Sequence, residues 1–178
     1  MKKLTYSNKL TIIRGLPGSG KSTLGRRLAA ESGAIFVEPD MFLMHGGEYR
    51  YTSNRYEEAV KKALFFIRRA ECDVVYADVL PKKMDVVRVM NSFYFCEYDK
   101  ARRGECRIIA LNTSLEESIK KNVHNVNVDD IRRMWEGWEE IPVEEKVNVS
   151  DFLFYSQSPS QSPSQSPFGW DNNITSNK

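Results

Sequence analysis

Long apolar runs are missing from this chain. None of its 178 residues form a stretch near the roughly 20 that a membrane-spanning helix needs, so no span is expected. Cysteine is scarce. Cys72, Cys96 and Cys106 are odd in number, widely spaced and without a CxxC pair. That argues against a disulfide framework or a thiolate metal site, and suits reduced thiols in a cytoplasm. An excess of charge of one sign is lacking too. Against 24 Asp and Glu stand 26 Lys and Arg, a net +2. The global field therefore does not mark a nucleic-acid binder, and only a local basic face is left open. Residues 1–7 are basic but carry no apolar segment, so no signal peptide is expected.

Low complexity is confined to one place. Residues 156–167 repeat Ser-Gln-Ser-Pro three times. Proline at every fourth position blocks helix and ladder bonding, and nothing in the repeat can build a core. Residues 156–178 are expected to be a disordered tail. Residues 1–155 are expected to form one domain.

Within 1–155, strand and helix signals alternate. Residues 10–14, 34–37, 73–77 and 107–111 are short apolar strand candidates. Helical periodicity spans 21–32 and 54–70, the second with Tyr56, Ala59, Val60, Ala63, Leu64 and Ile67 on one stripe. It recurs over 82–95, with Val86, Val87, Met90, Phe93 and Tyr94, and over 114–122. The last helix candidate, 128–139, lines up Val128, Ile131, Trp135 and Trp138. Short buried strands separated by helices predict a parallel sheet covered on both faces. The stripes are expected to be core. For Trp135 and Trp138, stacking on a base is the alternative.

Gly15-Leu16-Pro17-Gly18-Ser19-Gly20-Lys21-Ser22-Thr23 matches G-x-x-x-x-G-K-[ST] between a strand and a helix. The chemistry needs that order. Glycines let the backbone curl until successive N–H groups face one anion. The helix N-terminus adds partial positive charge at the same point. Lys21 is expected to reach the β- and γ-phosphates of a nucleoside triphosphate, and Ser22 to place its hydroxyl on Mg²⁺. The motif predicts a P-loop NTPase-type three-layer α/β fold around a central parallel sheet. It does not separate kinases from ATPases or GTPases.

Two carboxylates are expected at the same crevice, because both follow strands of a parallel sheet. Asp40 follows the second strand and could accept a proton from an acceptor hydroxyl, hold Mg²⁺, or simply shape a turn. Asp78 ends the third strand and could be a magnesium carboxylate or the cap of the next turn.

Several segments together resemble a family. They are 14–23, Glu38-Pro39-Asp40-Met41-Phe42, Gly47-Glu48-Tyr49-Arg50-Tyr51, Asn122-Val123-His124-Asn125-Val126 and Ile131-Arg132-Arg133-Met134-Trp135. These resemble bacteriophage polynucleotide kinases and their P-loop relatives, and most of all the phage kinases of 5-hydroxymethyluracil bases in DNA. The resemblance covers about residues 10–140. It implies a helical lid, ATP and Mg²⁺ as cofactors, and a nucleic acid, DNA rather than RNA, as acceptor. It implies that Asp40 is the general base and that the lid cation is Lys121, or Lys120. Relatives usually carry arginine at the lid position, whose bidentate fork lysine lacks. Val60 stands where relatives often have histidine, and Ala77-Asp78-Val79-Leu80 replaces an Asn-Thr-Asn-like run. These departures bear on the acceptor, not on the nucleotide.

Arg50, Arg55, Lys82 and Lys83 follow the acceptor-side segments and are the candidates for substrate phosphates. His124 is a candidate for phosphate or base contact in the lid, with a surface role as the alternative. His45 is expected in a solvated loop. Other readings stay open: a nucleoside or small-molecule kinase, and an ATP-dependent switch whose Ser-Pro tail recruits a partner.

Overall fold

A computed structural model of the chain describes residues 8–46, 48–94, 104–123 and 126–147. The expected tail, His124 and Cys96 lie outside them. The described chain runs β1 (Leu10–Arg14), α1 (Lys21–Ser32), β2 (Ile35–Val37) and a 3-10 turn (Pro39–Phe42). Next come the hairpin strands β3 (Met44–His45) and β4 (Glu48–Tyr49), then α2 (Ser53–Arg69), β5 (Val74–Asp78) and α3 (Lys83–Tyr94). The order ends with β6 (Cys106–Leu111), α4 (Leu115–Lys120), α5 (Val128–Glu136) and β7 (Glu145–Val147).

The main sheet has the order β2-β5-β1-β6-β7, and every neighbouring pair is parallel. Side chains alternate across it and build two cores. Leu10, Ile12, Val74, Tyr76 and Ile108 pack with Ala63, Leu64 and Ile67 of α2 and Val86, Val89 and Phe93 of α3. Ile13, Val75, Ala77, Ile109 and Leu111 pack with Leu24 and Ala29 of α1. Helices thus cover both faces, as the alternation predicts. Each fully buried isoleucine contributes about 1.5–3 kcal/mol. At Gly25, α1 comes so close to the sheet that a Cβ would lie 2.2 Å from the Phe36 ring.

The third stripe departs from expectation. Of Val128, Ile131, Trp135 and Trp138, only Ile131 is buried, while Trp135 is 46% exposed. The helix α5 packs chiefly on α4, and none of its residues belongs to either core. Strand β7 is a second departure. Glu145-Lys146-Val147 has no apolar pattern, and it becomes a strand by pairing with Ile109, Ala110 and Leu111. Cys72 and Cys106 are free thiols. Among the described residues, no helix is long and apolar enough to cross a membrane.

Candidate active site

Parallel pairing brings the carboxyl ends of the strands to one edge. Arg14, the last residue of β1, stands beside Asp78 on one side and Ala110 on the other. The phosphate loop leaves this central strand. Its shape fits a polyphosphate. Gly18 and Gly20 have φ of 75° and 89°, the left-handed region that glycine enters without cost. A Cβ at Gly18 would lie 2.7 Å from the Lys121 carbonyl oxygen. The N-terminus of α1 has no side-chain cap and no acidic residue in its first turn, so its N–H groups are left for an anion. Buried Ser19 Oγ has no hydrogen-bond partner, a polar atom waiting in the loop.

Lys21 crosses the loop, its Nζ donating to the Leu16 carbonyl at 2.8 Å. Burial pulls the ammonium down to about pKa 8, against the opposing pull of Asp78, Asp40 and Glu38. A polyphosphate would supply the negative charge that burial withholds.

Three carboxylates sit around this lysine, each in a different setting. Glu38 follows β2 and is buried. Its Oε2 accepts from the Ser22 hydroxyl at 2.5 Å, and its Oε1 accepts from Arg26 Nη2 at 2.5 Å. Asp40 lies in the 3-10 turn and accepts from the Tyr49 hydroxyl at 3.1 Å. The phenol's pKa is pushed up by burial and by Asp40 itself. Asp78 is buried at the end of β5. It accepts from the Tyr56 hydroxyl, from Val79 N at 2.7 Å and from the Tyr76 hydroxyl at 3.3 Å. Burial raises its pKa, and the Tyr56 bond and Val79 N–H work against that rise.

The sequence reading singled out Ser22 and Asp78 as a metal pair. The carboxylate that touches Ser22 is Glu38, for which the sequence alone suggests no role. Oxygen donors of this kind suit Mg²⁺, and Ser22 with Glu38 are the residues that could hold it. Its one signal is position, since Glu38 precedes Asp40 by two positions at the end of a buried strand.

Two cavities lie near this edge of the sheet, and the loop borders one of them, at Leu16. One of about 220 Å³ lies on the β5 side, between α2, α3 and α5, lined by Tyr56, Tyr76, Asp78, Arg88 and Met134 among others. The other, about 130 Å³, lies on the β6 side and is lined by Leu16, Thr113, Trp135, Trp138 and Glu144 among others. Both tryptophans of α5 and its exit therefore border a cavity beside the phosphate loop.

The remaining candidates scatter. Lys121 ends α4, and its backbone carbonyl packs against Gly18, while its exposed Nζ is 3.7 Å from Glu117. The adjoining Ser118 hydroxyl donates to the Pro17 carbonyl, which ties α4 to the loop. Arg50 is exposed and paired with Glu48 at 2.9 Å. Arg55 is exposed in the first turn of α2. Lys82 Nζ lies 3.6 Å from Glu139, and Lys83 N–H donates to the same carboxylate at 2.9 Å. None of these four basic residues lines either cavity. Arg88, not singled out from the sequence, lines the β5-side one.

The geometry is that of a P-loop kinase-like α/β fold, and comparison with known proteins agrees. Residues 10–88 match a family described as an AAA domain. The protein PM0531 of Pasteurella multocida (strain Pm70), described as uncharacterized, is 44% identical over 61 residues. That match takes in 30% of this chain and 34% of the relative, so it spans about a third of the relative's length. A gluconokinase from Sinorhizobium meliloti 1021 superposes with a TM-score of 0.56 at 15% identity, over 82% of this chain and 84% of that one. A sugar kinase from Janibacter sp. HTCC2649 gives 0.51 at 15% identity, over 80% and 84%. A chain of the Pnkp1/Rnl/Hen1 complex gives 0.52 at 19% identity, over 71% of this chain and 42% of that one. At these identities the likeness is one of fold.

Proposed function

We propose that this chain is an ATP- and Mg²⁺-dependent phosphotransferase acting on a hydroxyl of a nucleic acid, either a 5-hydroxymethyluracil base in phage DNA or a polynucleotide 5′ end. One observation carries the reading of a transferase. Asp40 and Glu38 both act on the Lys21 charge, Glu38 bonding Ser22 and Asp40 bonding Tyr49, so a proton acceptor and a metal site are both available at one loop. The nucleic-acid acceptor rests on the resemblance of the Asp40 run and the 47–51 segment.

In this reading the backbone N–H groups of Leu16 to Lys21, Pro17 having none, hold the β-phosphate together with Thr23, and Lys21 neutralises its charge. Ser22 and Glu38 hold Mg²⁺, which when bound offsets charge on the phosphates. Asp78 stays a buried support for Tyr56 and Tyr76. The acceptor oxygen bonds to the γ-phosphorus as the bond to the β–γ bridging oxygen breaks. Asp40 takes the hydroxyl proton, and ADP leaves. Lys121, whose carbonyl packs on Gly18, acts as the lid cation. The sheet order supplies a direction. Asp40 and Asp78 lie on the β2 and β5 side of the loop, so the acceptor enters there. The nucleoside then leaves on the β6 side, toward Trp135 and Trp138. Residues 1–155 form the catalytic unit, and 156–178 lie outside it.

One observation favours a second reading, a small-molecule kinase. The acceptor-side cavity carries Glu57, Asp78 and Asp85 against the single cation Arg88, a balance that does not attract phosphates. The two readings separate when γ-labelled ATP is offered with 5′-hydroxyl DNA and RNA, DNA containing 5-hydroxymethyluracil, free nucleosides and sugars. Label on an oligonucleotide supports the first reading and label on a small molecule the second. ATP hydrolysis with no labelled acceptor contradicts both and points to a switch.

A further inference from the structure

Arg14 is the last residue of β1, directly before the phosphate loop, and its side chain is fully buried. Arginine is almost never fully buried unless it is paired, so its partners are informative. Nη1 donates to the Glu139 carbonyl at 3.0 Å and to Glu144 Oε2 at 2.9 Å. Nη2 donates to the Pro81 carbonyl at 3.1 Å. The guanidinium carbon lies 4.1 Å from the centroid of the Trp138 ring. Glu139 N–H also donates to the Pro81 carbonyl, at 2.9 Å. One side chain thus fastens the exit of α5, residues 138–144, to the strand that launches the phosphate loop.

This arrangement is costly. The Glu144 side chain is 2% exposed, and Arg14 Nε and Glu144 Oε1 are buried without a hydrogen bond. Burial pulls the guanidinium pKa down, though Glu144 pushes it back, and arginine stays charged. A buried pair with atoms left unmade is a poor way to gain stability, and an apolar pair of similar volume often serves as well or better. What the pair does achieve is a fixed direction. A planar fork on three acceptors and a ring beneath it leaves segment 138–144 a single placement. Trp138 and Glu144 are both walls of the β6-side cavity that opens at Leu16.

We infer that Arg14 is a positioning residue: with Glu144 it holds Trp138 so that the β6-side cavity is preformed to take the base of the nucleotide. The inference rests on the proposed ATP site. It assigns to Arg14 an effect on the base end of the ligand and none on the phosphates, which the loop backbone holds. The role is distinct from packing, because packing alone would act on both ends through the fold.

The test compares two ligands, ATP and inorganic tripolyphosphate, each with Mg²⁺. Arg14→Met leaves Glu144 charged and buried, so the variant to use is Arg14→Met/Glu144→Met, which removes both charges. Arg14→Lys is the companion that keeps the charge but loses the fork. Unfolding curves establish that each variant is folded. The expected result is ATP affinity lowered about tenfold or more in both variants, with tripolyphosphate affinity within about twofold of wild type. Wild-type affinity for both ligands in folded variants would overturn the inference, as would an equal loss of both. A double variant that fails to fold leaves the decision to Arg14→Lys, judged by the same comparison. Wild-type protein that binds neither ligand would instead overturn the nucleotide reading on which the inference stands.

Discussion

The Ser22 hydroxyl donates to Glu38 Oε2 at 2.5 Å, across the gap between the start of α1 and the end of β2. A serine that gives its proton to a carboxylate keeps its oxygen lone pairs for a cation, and the carboxylate offers a second hard donor beside it. Arg26 occupies the other oxygen of Glu38, so the carboxylate is held in one orientation.

Glu38→Gln is therefore expected to weaken divalent-ion binding in the presence of ATP by about 10–100-fold, the usual effect of losing such a partner. Mn²⁺ titration followed by electron paramagnetic resonance reads this without catalysis. Asp78→Asn, by contrast, is expected to leave Mn²⁺ affinity near wild type. The reverse ranking would move the metal to Asp78.

Gly18→Ala brings two penalties together. A φ of 75° costs an L-residue about 1–2 kcal/mol, and the new Cβ meets the Lys121 carbonyl. The melting temperature is expected to fall by about 2–8 °C, because 1 kcal/mol shifts a domain of this size by a few degrees. ATP binding should be lost with it. Gly33→Ala shares the positive φ but meets nothing within 4 Å, so it should cost stability while sparing ATP. Calorimetry with and without ATP distinguishes the two.

Lys21 links nucleotide binding to pH. Its pKa in the free folded protein is pulled down to about 8, below its ordinary 10.5. Between these values the unfolded chain binds more protons than the folded one, so this group adds stability as pH rises from 8 toward 10.5. ATP affinity should run the other way. It is expected to fall as pH climbs through 8, because the ammonium that meets the phosphates is lost. Titration calorimetry from pH 6.5 to 9.5 at fixed Mg²⁺ checks this, and a flat profile would contradict it. Lys21→Arg, which cannot lose its charge, should flatten the curve.

Much of the fold was legible because parallel strands buried on both faces are apolar runs. Leu10-Thr11-Ile12-Ile13 and Val74-Val75-Tyr76-Ala77 announce themselves. The phosphate loop was legible because its chemistry dictates glycines at fixed spacing. What escaped depends on partners distant in sequence. The strand character of Glu145-Lys146-Val147 comes from β6 and from the Arg107–Glu145 pair at 2.6 Å. Nor does the sequence show that Glu139 lies 3.6 Å from Lys82 Nζ and accepts from the Lys83 backbone N–H, from 57 and 56 positions away. The apolar stripe of α5 gave the right period and the wrong neighbour, since Trp135 borders a cavity and Trp138 lies on a buried arginine. Arg14 itself carries no signal in one sequence, because a strand-ending arginine reads as solvated until its surroundings are known.

Asp40 as the proton acceptor is the central claim, and a single-turnover experiment tests it most directly. Enzyme is loaded with γ-labelled ATP and Mg²⁺, mixed with the acceptor that labels in the panel, and followed for wild type and Asp40→Asn. The account predicts that the variant binds ATP as wild type does but transfers label about 10²–10⁴-fold more slowly, the usual worth of a positioned base. Transfer by Asp40→Asn at the wild-type rate would contradict it.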